Sequence, residues 1–199
     1  MSEIKLTADS GGGSVSLKGP ATTTGNAAVP FVLPVADGSA GQFLKTDGSK
    51  NLSFATGGGD NTPSFNVRNS ADQVVSHNTH TQVTLDTEDW DTDNAFASNT
   101  FTVPSGKGGK YQFHFNMAYG LTDQKEGWGY LSVNDTQNRF SEVIFTASVT
   151  GQTVTCQGSC VLNLSAGDTV KLYTYHYNGA NATLNDIFTY FNGYRLIGI

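Results

Sequence analysis

Apolar and polar residues alternate along several stretches of this chain. In one of them, Tyr111, Phe113, Phe115 and Met117 are separated by single polar residues. Because successive side chains of a β-strand point to opposite faces, these four would share one face of a sheet. No window of about 11 to 18 residues shows a helical period, and the 23 glycines suit short strands joined by tight turns. The sequence therefore predicts an all-β protein.

Two further stretches predict strands with packed surroundings. Between Val170 and Tyr177, bulky residues occupy both parities, which is typical of a strand covered on each face by another sheet or by a neighbouring subunit. The sequence ends on the apolar run Gly193–Ile199, and a terminal strand of this kind is ordered when a sheet or an interface holds it. We therefore expect Phe191 and Ile197 to occupy packed positions of a closing strand.

Aromatic residues are unevenly distributed along the chain. Residues 1–64 contain Phe31, Phe43 and Phe54 as their only aromatic residues, whereas the remainder is rich in them. The run Gly57-Gly58-Gly59-Asp60 lies between the two parts, and consecutive glycines lose much entropy when they become ordered. The sequence predicts an extended, glycine-rich segment over residues 1–60 and one domain of ordinary size over residues 61–199.

The first segment is too poor in apolar residues to form its own core, yet it is regularly patterned. Asp37-Gly38-Ser39 and Asp47-Gly48-Ser49 both carry the Asp-Gly turn signal, so we expect short extended pieces between chain reversals. The apolar run Val29–Val35 favours docking of this segment onto copies of itself or onto a larger surface. A flexible leader with no partner is the alternative.

Parts of this segment resemble the leader and stalk modules of tailed-phage fibre and virion structural proteins. The resemblance rests on Leu6–Pro20, Asp37–Gln42 and Leu44–Ser49. It implies a stubby appendage, because a single module is present where long fibres have many. The apolar residues that would anchor the segment to the virion are Val29, Phe31, Leu33, Phe43 and Leu44.

Residues 65–199 resemble a different family, the globular-head domain of complement C1q with its TNF-like jelly roll. The segments that carry the resemblance are Phe65–Val67, Val83–Asp86, Phe101–Pro104, Gly109–Phe113, Leu131–Asn134, Leu162–Val170 and Phe191–Ile197. Within them, Gly109 would allow a tight entry into a strand, and Gly167-Asp168 would form the turn between two hairpin strands.

This resemblance implies a jelly-roll β-sandwich that forms compact homotrimers and binds ligands through loops and outer faces. Threefold symmetry would gather three copies of the leader at one end. It would also explain the surplus of aromatic residues, since a subunit interface can bury rings that one sandwich could not cover. We assign Tyr173, Tyr175, Phe191 and Ile197 to the closing strand and the trimer interface.

The histidines do not form a recognisable metal or catalytic motif. His77 and His80 lie in a stretch that reads as strand and loop, where their rings would point to opposite faces. We expect His114 and His176 to be polar partners on strands, with an approach of His176 to a threefold axis as the alternative. We therefore predict no catalytic residue, no metal ligand and no enzymatic activity.

The acidic run Asp86–Asn94 is the remaining candidate for an ion. Asp89, Asp91 and Asp93 have the alternate spacing of an EF-hand calcium loop, but asparagine and threonine replace the glycine and the glutamate that the template requires. A solvated acidic loop is the favoured interpretation, and no cofactor is predicted. Calcium stays open because some members of the C1q family bind it through loops.

Three aromatic residues are candidates for ligand binding: Trp90, Trp128 and Tyr130. In Glu126-Gly127-Trp128-Gly129-Tyr130, the flanking glycines would let an aromatic ring lie exposed on a loop, as sugar stacking requires. The alternative is that Trp128 is a core or interface residue of the next strand, because tryptophan is usually mostly buried.

Charge and hydropathy exclude several classes of partner. The net charge of −6 and the scattered Lys and Arg residues argue against nucleic acid. The start Met1–Lys5 has no apolar signal-peptide core and no segment approaches transmembrane length, so we expect assembly in a host cytoplasm and no membrane insertion. Cys156 and Cys160 are expected to be buried thiols, although a turn between them could allow a disulfide.

These observations predict a non-enzymatic virion structural protein of a tailed phage. It would be a trimeric short fibre or knob attached to capsid or tail through its N-terminal segment. A fibre tip that binds a host receptor or glycan is the alternative, and exposed loop aromatics would distinguish it. A depolymerising enzyme is a third interpretation, which would require carboxylates clustered in a groove.

Overall fold

A computed structural model describes residues 3–7, 14–18, 20, 22–56, 61–121, 125–147 and 153–196. The chain divides into two compact units, Met1–Gly57 and Gly58–Ile199. The predicted linker over residues 57–60 and the predicted interface residue Ile197 lie outside the described residues.

Strands account for nearly all the regular structure of the described residues, which confirms the all-β prediction. In chain order they are β1 (Glu3–Thr7), β2 (Ser14–Lys18), β3 (Gln42–Thr46), β4 (Leu52–Thr56), β5 (Ser64–Arg68), β6 (Gln73–Val75), β7 (Thr81–Gln82), β8 (Thr87–Asp91), β9 (Phe96–Ala97), β10 (Thr100–Thr102), β11 (Gly109–Gly120), β12 (Glu126–Val133), β13 (Thr136–Gln137), β14 (Val143–Thr146), β15 (Thr153–Leu164), β16 (Thr169–His176), β17 (Ala182–Leu184) and β18 (Tyr190–Arg195). Short 3-10 helices span Thr24–Asn26 and Arg139–Ser141.

The smaller unit contains two antiparallel strand pairs, β1 with β2 and β3 with β4. The second pair is closed by one of the predicted Asp-Gly turns. The Asp47 carboxylate accepts hydrogen bonds from the backbone N–H of Ser49 at 2.7 Å and from the Asn51 side chain at 2.7 Å. Gly48 takes a φ of 79°, which glycine adopts without steric cost. The predicted chain reversal at this position is confirmed.

The larger unit is a sandwich of two antiparallel sheets. Sheet one has the strand order β6-β17-β11-β18-β5-β8. Strands β17 and β18 pair with different stretches of β11, and β15 pairs with β11 along its whole length. Sheet two has the order β13-β12-β16-β10-β9, with β14 also beside β12 and β7 also beside β16. This arrangement confirms the predicted β-sandwich.

The predicted turn at Gly167-Asp168 is present, but the strands that it joins do not form a hairpin. Gly167 has a φ of 90°, and the Asp168 carboxylate accepts a hydrogen bond from the backbone N–H of Ser165 at 2.7 Å. The preceding strand, β15, pairs with β11 in sheet one, whereas the following strand, β16, pairs with β12 in sheet two. The turn therefore carries the chain from one layer of the sandwich to the other.

The core lies between the sheets and is largely aromatic. The alternation in β11 is confirmed, because Tyr111, Phe113, Phe115 and Met117 all point inward and are fully buried. Phe191 of the closing strand is also fully buried, and its ring centroid lies 5.7 Å from that of Phe113. Ring pairs at such distances stabilise a core beyond the area that they bury.

Inward-facing glycines make room for these rings. Gly158 lies directly across the strand pair from Phe115, and Gly193 lies across from Phe113. A Cβ atom on Gly158 would be 2.1 Å from Cζ of Phe115, and one on Gly193 would be 2.5 Å from Cδ1 of Phe113. The rings thus occupy the volume that side chains at these positions would need.

We expect Gly158→Ala to destabilise the larger unit by about 1–3 kcal/mol, because the added methyl group overpacks the core against Phe115. The matched control is Gly120→Ala at the end of β11, where an added Cβ would meet no heavy atom within 4 Å. Urea unfolding monitored by circular dichroism measures both changes. Equal stability of the two variants would contradict the proposed packing of Phe115 over Gly158.

Candidate binding and interface surfaces

Strand β12 alternates glycines with aromatic residues, and this pattern decides which way the aromatic residues point. A Cβ atom on Gly127 would be 2.3 Å from Cζ of Phe145, and one on Gly129 would be 2.2 Å from Cε of Met117, so both glycines face the core. Trp128 and Tyr130 therefore face outward. The expectation that the glycines free Trp128 on a loop is wrong, because they are inward positions of a regular strand.

The outward rings of β12 meet those of β16 and form what we call the aromatic face: Trp128, Tyr130, Tyr173, Tyr175 and His80. Trp128 pairs across the strands with Tyr175 at a centroid distance of 5.2 Å, and Tyr130 pairs with Tyr173 at 5.6 Å. The His80 ring stacks on Tyr175 at 4.5 Å. Strand pairing thus places four aromatic side chains directly opposite one another.

Hydrogen bonds hold two of these rings in place. The Tyr130 hydroxyl lies 2.9 Å from Nδ1 of His80, and the Tyr175 hydroxyl donates to the side-chain oxygen of Asn78. Tyr130 is only 5% exposed, and burial raises its pKa to about 12, so its hydroxyl is neutral at physiological pH. Tyr130 packs against His80 and Tyr173 and has little exposed surface left for a ligand.

The aromatic face unites residues that the sequence assigned to two different sites. Trp128 and Tyr130 were candidates for ligand binding, whereas Tyr173 and Tyr175 were candidates for the trimer interface. The third ligand candidate, Trp90, is on β8 of sheet one and is therefore not part of this surface.

Sheet one presents a very different outer surface. The three adjacent strands β15, β11 and β18 each have a described stretch whose outward residues include no Asp, Glu, Lys or Arg. These stretches are Thr153 to Asn163, Gln112 to Asn116 and Tyr190 to Tyr194. We call this surface the uncharged face. Its members are Gln112 and His114, the odd-numbered residues from Thr153 to Asn163, and Tyr190, Asn192 and Tyr194. Asn116 points the same way but is buried, and the exposed Lys110, which lies across from Asn163, forms the charged margin of this face.

A shallow cavity of about 390 Å³ adjoins the uncharged face. Trp90 and Tyr194, which are 53% and 41% exposed, contribute its aromatic walls, and Asn192 contributes an amide. The predicted interface residue Phe191 is its neighbour in sequence but points the other way. Because Phe191 is fully buried in the core of one chain, its closing-strand position is confirmed, but it has no surface for contact with another copy.

The acidic run is a strand followed by a turn, which corrects the expectation of a solvated loop. Its carboxylates are engaged by neighbouring groups. Asp89 accepts hydrogen bonds from the Asn66 side chain at 2.7 Å and from Arg68 at 3.2 Å, and Asp91 accepts one from the backbone N–H of Phe96 at 2.7 Å. No group of three or more His, Cys, Asp or Glu residues is placed to hold a metal ion among the residues described.

His176 is fully buried inside one chain, so it does not lie at the surface where a threefold axis would pass. Its Nε2 atom lies 2.9 Å from the Val75 carbonyl oxygen, and its Nδ1 atom accepts a hydrogen bond from the backbone N–H of Asn178. His114 stacks on Tyr190 on the uncharged face, with centroids 5.6 Å apart. Both lie on strands as expected, and His176 is confirmed as a polar partner, whereas the expected polar role of His114 stays a prediction.

The two cysteines are free thiols on β15. Cys156 is buried and Cys160 half-buried. Burial raises the pKa of Cys156 to about 12 and that of Cys160 to about 11. Because the thiolate is the reactive form, neither side chain is poised for nucleophilic chemistry near neutral pH.

The predicted anchoring residues of the smaller unit are exposed, between 47% for Phe43 and Leu44 and 70% for Leu33. Leu33 and Leu44 line an open groove of about 470 Å³ together with Phe54. The run that contains Leu33 is tied to the β3–β4 hairpin by two backbone hydrogen bonds of Val32, which accepts from the N–H of Leu52 at 2.8 Å and donates to the carbonyl oxygen of Lys50 at 2.9 Å. An apolar surface of this kind on so small a unit is typical of a docking site.

Comparison with known proteins supports the fold. Murine APRIL at pH 5.0 has a TM-score of 0.50 at 12% identity, covering 67% of this chain and 98% of that chain. The globular domain of zebrafish complement 1qA has a TM-score of 0.49 at 20% identity, covering 68% and 98%. Eiger TNF from S. frugiperda has a TM-score of 0.47 at 14% identity, covering 67% and 91%.

The likeness to murine APRIL at pH 5.0 concerns the fold alone, and together with the two-sheet topology it confirms the TNF-like jelly roll that the sequence predicts. No protein-family model matches the chain, and no curated protein matches its sequence. Within the described part of the chain, no helix is long and apolar enough to cross a membrane. The phage origin remains a prediction.

Acidification is expected to destabilise the larger unit through His176. Burial lowers the pKa of this side chain below 6.5, and the hydrogen bond to Val75 offsets only part of that effect. The unfolded chain keeps the ordinary, higher pKa, so it binds a proton at pH values where the folded chain does not. The stability that is present above the ordinary pKa is therefore lost as the pH falls from that value towards the lowered pKa of the folded chain. Urea unfolding from about pH 8 to about pH 5 should show a steeper loss for the natural chain than for His176→Gln. Parallel pH profiles would contradict a buried neutral His176.

Proposed function

We propose that this protein is a non-enzymatic structural component of a tailed-phage virion. It is a homotrimeric short fibre or knob whose jelly-roll head is attached to capsid or tail through residues 1–60. The observation that carries the proposal is the uncharged face of sheet one, which has the composition of a subunit interface.

Interface composition supports self-association through this face. The cores of protein interfaces are depleted in charged residues and enriched in tyrosine and tryptophan. The uncharged face offers Val161, which is 53% exposed, in the same cross-strand row as Gln112 and Tyr194. Its Asn, Gln, Ser and Thr side chains can donate and accept hydrogen bonds, which suits contact between copies of one surface. Trp90, at the margin, adds a large aromatic side chain.

This assignment differs from the interface that the sequence predicted. Tyr173 and Tyr175 are half-buried by neighbouring side chains of the same chain, so they expose only part of each ring and little flat surface for another subunit. The uncharged face covers 11 residues of β15, Thr153 to Asn163, which span about 35 Å, and five residues of β11, Gln112 to Asn116. The longer surface is the better candidate for contact between subunits.

The smaller unit supports the attachment role. Its exposed apolar residues, among them Phe31 at 59%, would lose contact with water on docking to a virion surface. The β3–β4 pair has no fully buried side chain, and isolated hairpins are marginally stable in water. Docking would therefore stabilise this unit. The resemblance of its sequence to phage leader modules indicates which kind of surface it meets.

A second candidate function is recognition of a host-surface receptor or glycan by the head. The aromatic face of sheet two favours it, because it presents preorganised rings on the opposite side of the sandwich from the uncharged face. The two functions are compatible in one trimer.

The interface assignment is tested with two lysine substitutions of matched exposure. Val161 and Ile144 are branched strand residues, 53% and 58% exposed, on the outer surfaces of sheet one and sheet two. We expect the natural chain to sediment at three times its mass of 21.1 kDa. Val161→Lys should dissociate the trimer, and Ile144→Lys should leave it intact. The reverse result would place the interface at Tyr173 and Tyr175, and a monomeric natural chain would contradict the trimer.

Attachment is tested by removing the smaller unit. A chain of residues 61–199 keeps the whole aromatic core, so it should form a soluble trimeric head that no longer joins virions. Phe31→Asp in the full chain should weaken incorporation with the head unchanged, and Phe140→Asp, at a 93% exposed position of the head outside both named faces, is the matched control. Normal incorporation of the truncated head, measured by particle purification and immunoblotting, would contradict the anchoring role.

A further inference from the structure

We propose that the aromatic face of sheet two binds a neutral saccharide, with Trp128 and Tyr175 as the stacking residues. This inference rests on the second candidate function above and identifies its site and its ligand class. Both rings belong to adjacent strands and lie directly opposite each other.

The geometry of the rings suits the apolar face of a pyranose. Sugars present C–H groups on the faces of the ring and hydroxyls around its edge. Trp128 and Tyr175 meet at an interplanar angle of 65°, so they form two walls of an open corner rather than one flat stack. A pyranose in this corner would place C–H groups against both rings. Indole and phenol groups combine an apolar body with a polar end, as such a ligand requires.

The rings are fixed before a ligand arrives. Tyr175 is held by its hydrogen bond to Asn78 and by stacking on His80, and Tyr177 packs edge-on against it at 5.8 Å. Trp128 sits between inward glycines on a strand that is paired on both sides. Binding would therefore freeze little side-chain motion, which reduces the entropic cost of association.

Charge favours a neutral ligand over an acidic one. None of the five members of the aromatic face is Asp, Glu, Lys or Arg. The nearest cation on β16, Lys171, is engaged 2.5 Å from the carboxylate of Asp135. An acidic polysaccharide would find no free positive side chain among the members of this face, whereas a neutral sugar needs none.

The half-buried rings of the aromatic face expose an area that suits a small ligand. Trp128, Tyr173 and Tyr175 are half-buried, so at about a third of their 150–250 Å² each they expose on the order of 200 Å² together. One or two sugar rings match this area.

Titration of the full-length protein with three neutral hexasaccharides tests the proposal. The probes are maltohexaose, cellohexaose and chitohexaose, and binding is followed by calorimetry and by tryptophan fluorescence. Trp90 and Trp128 are the only tryptophans of the chain. Trp90→Ala therefore leaves Trp128 as the sole indole reporter, and its emission should change saturably with at least one probe.

The matched variants separate the aromatic face from the rest of the head. Trp128→Ala and Tyr175→Ala should each weaken binding by at least about tenfold in calorimetry, whereas Phe140→Ala, at a 93% exposed position outside both named faces, should leave the affinity unchanged. Sedimentation and circular dichroism check that each variant keeps the fold and the assembly of the natural chain.

Three outcomes would overturn the inference: no binding of any probe, binding that Trp128→Ala leaves intact, or dissociation of the trimer by Trp128→Ala. The last would show that a copy of the chain occupies this face. If Val161→Lys dissociates the trimer while none of the saccharides binds, the structural function stands and only the saccharide site fails.

Discussion

Aromatic rings packed over inward-facing glycines are the contact on which the rest of this head depends. Phe115 fills the space beside Gly158, and Met117 fills that beside Gly129. Interiors are close-packed, so a shift of one residue in strand register would bring side chains into these rings and turn every neighbour to the other face. The same contacts that build the core therefore fix which residues reach the surface. Trp128 faces outward because the glycines on either side of it must face inward.

This constraint explains how far the sequence could predict the structure. The period-two alternation of β11 predicted a buried aromatic face, and the Asp-Gly signal at residues 47–48 predicted a chain reversal, because both depend on local geometry. The crossing of the chain from sheet one to sheet two at Gly167 could not be predicted from local geometry. A turn residue fixes the bend but not the strands that pair beyond it, and those pairings join residues far apart in the chain.

The candidate sites were harder to predict for the same reason. Trp128 was identified from its residue type and from the glycines on either side of it. Those glycines were interpreted as loop residues, because one sequence does not show which neighbouring side chain packs against a glycine. Tyr173 and Trp128 were assigned to different sites, and only cross-strand pairing places them on one surface. The uncharged face was missed altogether. Its signal is the lack of charge at alternate positions of three strands that are distant in sequence. The part of this signal that lies in β15 could have been found in the sequence of that strand alone.

On the proposals made above, the two outer surfaces have different roles in the head. One sheet offers a long surface without formal charge, suited to contact between copies, and the other offers a small, rigid set of rings, suited to a ligand that approaches from solution. A sandwich separates these functions by the thickness of its core, so each surface can change without loss of the other. The alternation of side chains within each strand makes this separation possible.

An experimental structure of the assembled full-length chain, by crystallography or electron cryomicroscopy, tests this division most directly. We expect a threefold axis beside the outer surface of β11, β15 and β18, with Val161 and Tyr194 in contact between subunits and Trp128 open to solvent. A single-copy particle, or an axis that buries Trp128 and Tyr175 between subunits, would contradict it.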